Sequence, residues 1–433
     1  MRIIDLRGRA LTTAELLAVV PRATGARADA LQVAADVVAD VRARGEESLR
    51  EQAERFDGVS GHLIRVPREH LDEAIAALDR AVRDALTEAI RRVRAASAAQ
   101  VPLASVTRLA PGARVTQRWQ PVARAGVYVP GGKAVYPSSV VMNVVSAQVA
   151  GVRDVALASP PQREHGGRVH PTILAAAALL GVDEVYAMGG AGAIGALAHG
   201  VPGIGLVPVD VVTGPGNNFV AAAKRVVAGI VGTDSEAGAT EILVVADDTA
   251  DPRYVAADLV SQAEHDEQAG AVLVTASTGL AERVVAEVER MAAATRHRDR
   301  VAAALAGPQS AVVLVDDAAA AEAFSNAYAP EHLELHIDGA AEAAARYVNA
   351  GALFIGAHSP VSLGDYLAGS NHVLPTGGQA RYAAGLGAHT FLRPQQVVEY
   401  DRSALAAVTD DITALAEAEQ LPAHGEAVRV RFA

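Results

Sequence analysis

The sequence predicts an α/β protein built on two parallel sheets, with small modules at its N- and C-terminal ends. Three observations carry this. Short β-branched runs alternate with alanine-rich helical stretches, the pattern of βαβ units. The alternation comes in two separate series, one from Arg124 to Val212 and one from Glu241 to Ile355. The chain is long enough for both: 433 residues at roughly 150 per domain suggest about two to four domains, and 51% hydrophobic content with 20% charge is globular.

From Thr12 to about Arg94 apolar residues recur at helical spacing, as in Leu31, Val33, Ala34, Val37, Val38 and Val41, so this region is predicted helical. Strands are then predicted at Arg124–Val129, Val155–Ala158, Glu184–Met188 and Val207–Val212. A second series follows at Glu241–Val245, Ala271–Val274, Ala311–Val315 and Ala352–Ile355, with one intervening helix placed from Tyr254 to Gln268. Beyond about Gln379 the alternation stops. The tail, with its acidic helix Asp410–Glu419 and the stretch Leu421-Pro422-Ala423-His424, is predicted to be a small appended module.

Composition removes whole classes of function. Lys and Arg number 38 against 50 Asp and Glu, a net charge of −12 without the basic footprint that nucleic acid demands. There is no cysteine, so disulfides, iron–sulfur clusters, thiolate zinc sites and thiol nucleophiles are excluded, and 13 histidines remain for nitrogen chemistry. The first residues lack an apolar signal core and no run approaches about 18 uninterrupted apolar residues, so a soluble cytoplasmic protein is expected.

Several segments have the residue types that chemistry needs. Gly190-Ala191-Gly192-Ala193-Ile194-Gly195 fits G-x-G-x-x-G after a predicted strand, with Asp210 about twenty residues on. Such glycines let helix N-terminal amides approach a pyrophosphate; in a chain rich in Gly and Ala they serve tight helix packing equally well. Two more glycine turns follow strands, Tyr128-Val129-Pro130-Gly131-Gly132 and Gly214-Pro215-Gly216-Asn217, where Asn217 is a candidate helix cap or ligand contact. Gln262 and His265 lie three apart on a predicted helix and could share one ion, or simply be solvated. Glu331-His332 pairs a carboxylate with an imidazole, a division of labour suited to proton transfer near neutral pH. Asp365 and His372 sit in a loop region punctuated by glycine and proline.

Taken together and in this order, the segments Gly126–Gly132, Tyr136-Pro137-Ser138-Ser139, Gly214–Asn217, Ala237–Glu241, Gln262–His265, Ala329–Leu335, Gly364–Thr376 and Ala423-His424 resemble the histidinol dehydrogenase family, over nearly the whole chain from about Ala30. The resemblance implies two incomplete Rossmann-like domains: 26–110 with 238–380 carrying zinc and catalytic residues, and 111–237 binding the cofactor. A helical module, 1–25, precedes them, and a C-terminal module, 381–433, reaches a partner subunit in a homodimer. It implies oxidation of L-histidinol through L-histidinal to L-histidine, with two NAD per turnover, as the last step of histidine biosynthesis. One zinc ion per site is implied, with Gln262, His265, Asp365 and His424 as ligands and the substrate's imidazole and amine bound to it. His332 matches the catalytic base and Glu331 the residue that activates water. Thr240, His372 and Glu419 match substrate contacts, joining His332 and the four zinc ligands around the substrate. Tyr128, Asn217 and the Gly192 position match cofactor contacts.

The chain departs from the family at two places. Gly192 stands where glutamine is usual, and this departure itself creates the G-x-G-x-x-G match. Ala239 stands where proline is usual, loosening one turn beside Thr240. The alternatives to histidinol oxidation are a relative acting on another small primary alcohol, and a zinc- and ligand-binding protein without catalysis.

Overall fold

The computed structural model describes residues 1–22, 28–131, 135–235 and 238–433, so Gly132 and Ala237 of the motifs above lie outside the described residues. In chain order β1 (Arg2–Asp5) is followed by a helical region, then by the hairpin of β2 (Ser105–Ala110) and β3 (Ala113–Pro121). The first βαβ series contains β4 (Arg124–Tyr128), β5 (Asp154–Ser159), β6 (Glu184–Ala187), β7 (Val211–Thr213) and β8 (Gly232–Thr233). The second contains β9 (Glu241–Ala246), β10 (Gly270–Thr275), β11 (Ala311–Leu314), β12 (His332–His336) and β13 (Ala352–Ile355), and β14 (Leu392–Tyr400) lies in the tail.

The predicted two parallel sheets are present. One has the order β6-β5-β4-β7-β8 and the other β1-β11-β10-β9-β12-β13, all neighbours parallel. Every residue of β9 and β10 is buried, as strands covered by helices on both faces must be. The covering helices are well signalled locally. Pro252–Ala263 opens with Pro at its first position and an Asp251 side chain capping Arg253 N–H, the arrangement that satisfies otherwise orphaned amides.

Four sequence expectations are corrected or completed. The first residues form β1, the edge strand paired with β11, so the N-terminal module is not purely helical. Helices between 28 and 99 were grouped with 238–380, yet they cover the five-stranded sheet: Ala34, Val38 and Val41 share a core with Ala156 and Leu197, and Leu71, Leu86 and Val93 share one with Val141 and Leu157. Helical periodicity marks an apolar face without naming the sheet it covers. The tail, in which no strand is placed by the sequence, contains β14, which pairs antiparallel with β3 and completes a third sheet, β14-β3-β2. Most of β14 is exposed, so it lacks the apolar alternation that announces a strand. Finally, the helix predicted over 254–268 stops at Ala263, which leaves His265 in the turn beyond it.

Candidate active site

The residues of interest gather at the N-terminal edge of the six-stranded sheet. β9 and β12 are parallel neighbours with His332 opposite Ile242, so Thr240-Glu241 and Glu331-His332 enter the sheet side by side. Ala329, at φ +49°, turns the chain out of the helix Ala318–Tyr328 and aims Pro330-Glu331-His332 into β12. A left-handed alanine is uncommon and persists where its surroundings dictate it.

Glu331 and His332 are both buried. Glu331 Oε2 accepts the Thr240 hydroxyl at 2.6 Å and the Glu241 N–H at 3.0 Å. Gln262 Nε2 donates to the same Thr240 oxygen at 2.6 Å, so three side chains from β12, the β9 lead-in and the end of helix Pro252–Ala263 form one chain of hydrogen bonds. His332 Nδ1 lies 3.0 Å from the Glu241 carbonyl and 3.6 Å from Glu331 Oε2. A carbonyl only accepts, so Nδ1 carries the hydrogen and Nε2 is left with a free lone pair, the tautomer a general base requires.

Asp365, on the helix Val361–Tyr366, and His372 complete the neighbourhood. His372 Nδ1 is 3.0 Å from the Asp365 carbonyl, and Nε2 is 3.3 Å from Ser139 Oγ at the start of helix Pro137–Ala150. Burial pushes the His372 ring below the usual histidine range; Asp365 opposes this, and the nearby His332 and His265 rings add to it. Through His372 and Ser139 the N-terminal edge of one sheet meets the C-terminal edge of the other. The rule that α/β sites lie beyond strand C-termini thus holds for the five-stranded sheet only.

Sequence reasoning missed Glu241. It is buried at the head of β9, pairs with Arg22 Nη1 at 2.8 Å and accepts the Gly377 N–H at 3.2 Å. Burial pushes its carboxyl up to about 7, Arg22 working against this and Glu331 with it. Glu241 and Ser139 both end segments that carry the family resemblance, Ala237–Glu241 and Tyr136–Ser139, but neither is given a role by the sequence alone.

The three cofactor candidates are occupied locally. Tyr128 is buried, with its hydroxyl 3.2 Å from the Gly190 amide that it accepts, and burial pushes the phenol up to about 12. Asn217 is exposed and caps helix Asn218–Val227, its Oδ1 accepting Phe219 N–H at 3.0 Å and Val220 N–H at 3.2 Å. Gly192 is buried, and a Cβ there would overlap the Gln52 carboxamide, while one at Gly195 would press on Val38 at 3.2 Å. Gly195 therefore serves close helix packing, and Gly192 leaves room for the Gln52 carboxamide. Asp210 also lies at the wrong end of the sheet for a ribose: its Oδ2 accepts the Ala123 and Arg124 amides at 2.8 and 2.9 Å, at the start of β4, whereas Tyr128 ends that strand. The G-x-G-x-x-G match, which the departure at Gly192 itself creates, thus has a local structural explanation.

Glu419 and His424 are exposed on the C-terminal helices Thr409–Ala418 and Pro422–Arg429, apart from the buried Thr240–Glu331–His332 group, and among the described residues neither hydrogen-bonds to a site residue. Gln262, His265 and Asp365 do share the site. Their donor set suits a divalent metal: Gln262 is 1% exposed, its Nε2 is spent on Thr240, and its Oε1 is buried without a partner. His265 Nδ1 rests 3.2 Å from the Ser261 carbonyl, leaving Nε2 for coordination.

Comparison with known proteins places this arrangement. A family model described as histidinol dehydrogenase matches residues 20–432. The histidinol dehydrogenase of Leifsonia xyli is 67% identical over 100% of this chain and 99% of that protein, and that of Thermobifida fusca is 60% identical over 99% and 97%. The crystal structure of histidinol dehydrogenase from Elizabethkingia anophelis superposes with a TM-score of 0.93 at 32% identity, covering 99% of this chain and 98% of that one. Matched in sequence and in fold along nearly its full length, the chain belongs to the histidinol dehydrogenase family of oxidoreductases.

Proposed function

We propose that this chain oxidises L-histidinol through L-histidinal to L-histidine, using two NAD in sequence, as the final step of histidine biosynthesis in the cytoplasm. The hydrogen-bonded series Gln262–Thr240–Glu331 beside the His332 ring is the observation that carries the reading. Gln262, His265 and Asp365, with His424 from the neighbouring subunit of a homodimer, would hold one zinc ion, which when bound supplies a Lewis-acidic anchor for the substrate's imidazole and amine. NAD supplies the hydride acceptor and is assigned to the C-terminal edge of the five-stranded sheet near Tyr128 and Asn217, where Asn217 Nδ2 is not used by the helix cap.

His332 Nε2 takes the hydroxyl proton of the alcohol, so that the carbinol carbon can release hydride. Glu331, whose Oε2 already accepts two donors, turns Oε1 to a water and removes its proton as that water adds to the aldehyde, while His332 returns its proton to the aldehyde oxygen and is free to act again. His332 then takes a hydroxyl proton from the hydrate, and a second hydride leaves. Each oxidation thus removes one hydride and one proton. Thr240 and His372 orient the substrate, with Glu419 reaching it from the partner. Exposed apolar side chains of the three-stranded sheet region and the tail, Leu103, Val106, Leu109, Val398 and Leu415, are what a partner subunit would cover. Among the described residues no helix is long and apolar enough to cross a membrane.

The test is NADH formation from purified protein with L-histidinol against other small primary alcohols. Histidinol-dependent NADH, two per histidine formed, is expected; its absence overturns the reading.

A further inference from the structure

One layer away from the catalytic pair, the same elements carry a second group of ligand-type side chains. Alternate residues of a strand share a face, so β12 presents Glu334 and His336 on the side that carries His332. Asp258 lies one turn before Gln262 on the helix Pro252–Ala263. The three side chains converge: His336 Nε2 is 3.3 Å from Glu334 Oε2 and 3.9 Å from Asp258 Oδ2, and one ligand atom from each falls within 4.8 Å of the others.

Burial makes this cluster hard to explain as it stands. The side chains of Glu334, His336 and Asp258 are 1%, 3% and 10% exposed. Glu334 Oε1 accepts the Val361 N–H at 2.8 Å, but neither ring nitrogen of His336 has a hydrogen-bond partner. A buried imidazole with both nitrogens unmet costs free energy that native proteins rarely leave uncompensated. Burial, the Glu334 charge and a hydrogen bond to Glu334 all raise Asp258 above the ordinary carboxylate range, so a protonated Asp258 can meet Glu334 but leaves the His336 ring unmet.

We propose that Asp258, Glu334 and His336 form a second divalent-cation site, separate from Gln262, His265, Asp365 and His424, and suited to zinc or a similar transition ion. Ligands about 2.1 Å from a tetrahedral ion stand roughly 3.4 Å apart, close to the separations already present. Two carboxylates neutralise a dication, so the buried unit carries no net charge. The ion would tie together the strand that carries His332, the helix that carries Gln262 and, through Glu334 and Val361, the helix that carries Asp365. Its role is to hold these three elements in register.

The test is metal stoichiometry on the full-length protein, stripped with chelator, reloaded with Zn2+, desalted and analysed by mass spectrometry. Wild type is expected to retain two equivalents per chain, Asp365→Ala one, Asp258→Asn one, and the double variant none. Equal zinc in Asp258→Asn and wild type overturns the proposal, and so does an Asp365→Ala protein that holds none. If instead Asp365→Ala matches wild type while Asp258→Asn loses an ion, the catalytic-zinc assignment fails and this one stands. Should Asp258→Asn not fold, crystals of Asp365→Ala grown with zinc decide the matter at the zinc edge. An anomalous peak between Asp258, Glu334 and His336 supports the site, and a protonated, ion-free cluster overturns it.

Discussion

His332 is held by one backbone contact, the Glu241 carbonyl 3.0 Å from Nδ1, and the proposed proton transfer would use the opposite nitrogen. His332→Gln removes that nitrogen while keeping a polar side chain of similar reach. Turnover of L-histidinol, followed as NADH, should fall by about a thousandfold with the circular dichroism unchanged, within the usual range for loss of a general base. Glu331→Gln separates the two half-reactions, because an amide oxygen can still accept from Thr240 and Glu241 but cannot take a proton from water. The alcohol step should persist while the step from supplied L-histidinal slows by about a hundredfold, and an equal loss in both steps would contradict the water-activating role. Glu241 gives a stability signature. Its folded carboxyl is raised from 4.5 to about 7, so across that window the folded chain keeps a proton that the unfolded chain has released. Stability therefore falls as pH rises from about 4.5 to 7, by at most about 3 kcal/mol. Melting temperatures across this range should decline more steeply for wild type than for Glu241→Gln. The Glu331-His332 pair was legible because adjacent acid and imidazole are a chemical statement in themselves. Glu241 was not, since a carboxylate at the head of an apolar strand becomes unusual only once Arg22 and the loop at Gly377 close over it.

Between elements, the glycines of the helix Gly190–His199 show how a motif can be correct in letters and wrong in role. Gly192 and Gly195 face Gln52 and Val38, so their missing Cβ atoms bring this helix against Ala28–Arg44 and Glu46–Gln52. The sequence shows the spacing of glycines but not which neighbour approaches them, and Asp210 was likewise assigned by distance along the chain without knowledge of the sheet edge it occupies. The pairing of Gly192 with Gln52 is itself testable. Glutamine at 192 would place its side chain where the Gln52 carboxamide lies and make that flexible end turn away, at a cost of about 1 kcal/mol in denaturant unfolding. Gln52→Ala should recover much of that loss in the double variant, although Gln52→Ala alone gains nothing. Additive effects in this cycle would show that the two positions do not compete for one space.

For the molecule as a whole, both βαβ series were legible because buried parallel strands are continuous apolar runs, whereas the third sheet was hidden by the exposed, polar faces of β14. That third sheet anchors the tail, in which Glu419 and His424 are exposed. If the tail completes the partner's site, each active centre is assembled from two subunits, and defects in different parts of it must complement. His332→Ala removes the base from a subunit's own site, while His424→Ala would remove a zinc ligand from its neighbour's. In a mixed dimer both lesions then fall in one site and the other is wild type. Unfolding and refolding an equimolar mixture of the two inactive proteins should therefore restore about a quarter of wild-type activity, by random pairing in a twofold dimer. In a cis arrangement each site of the mixed dimer would keep one lesion, and no activity would return. Activity after mixing thus decides whether the tail serves its own chain or its neighbour, independently of how far each single substitution lowers the rate.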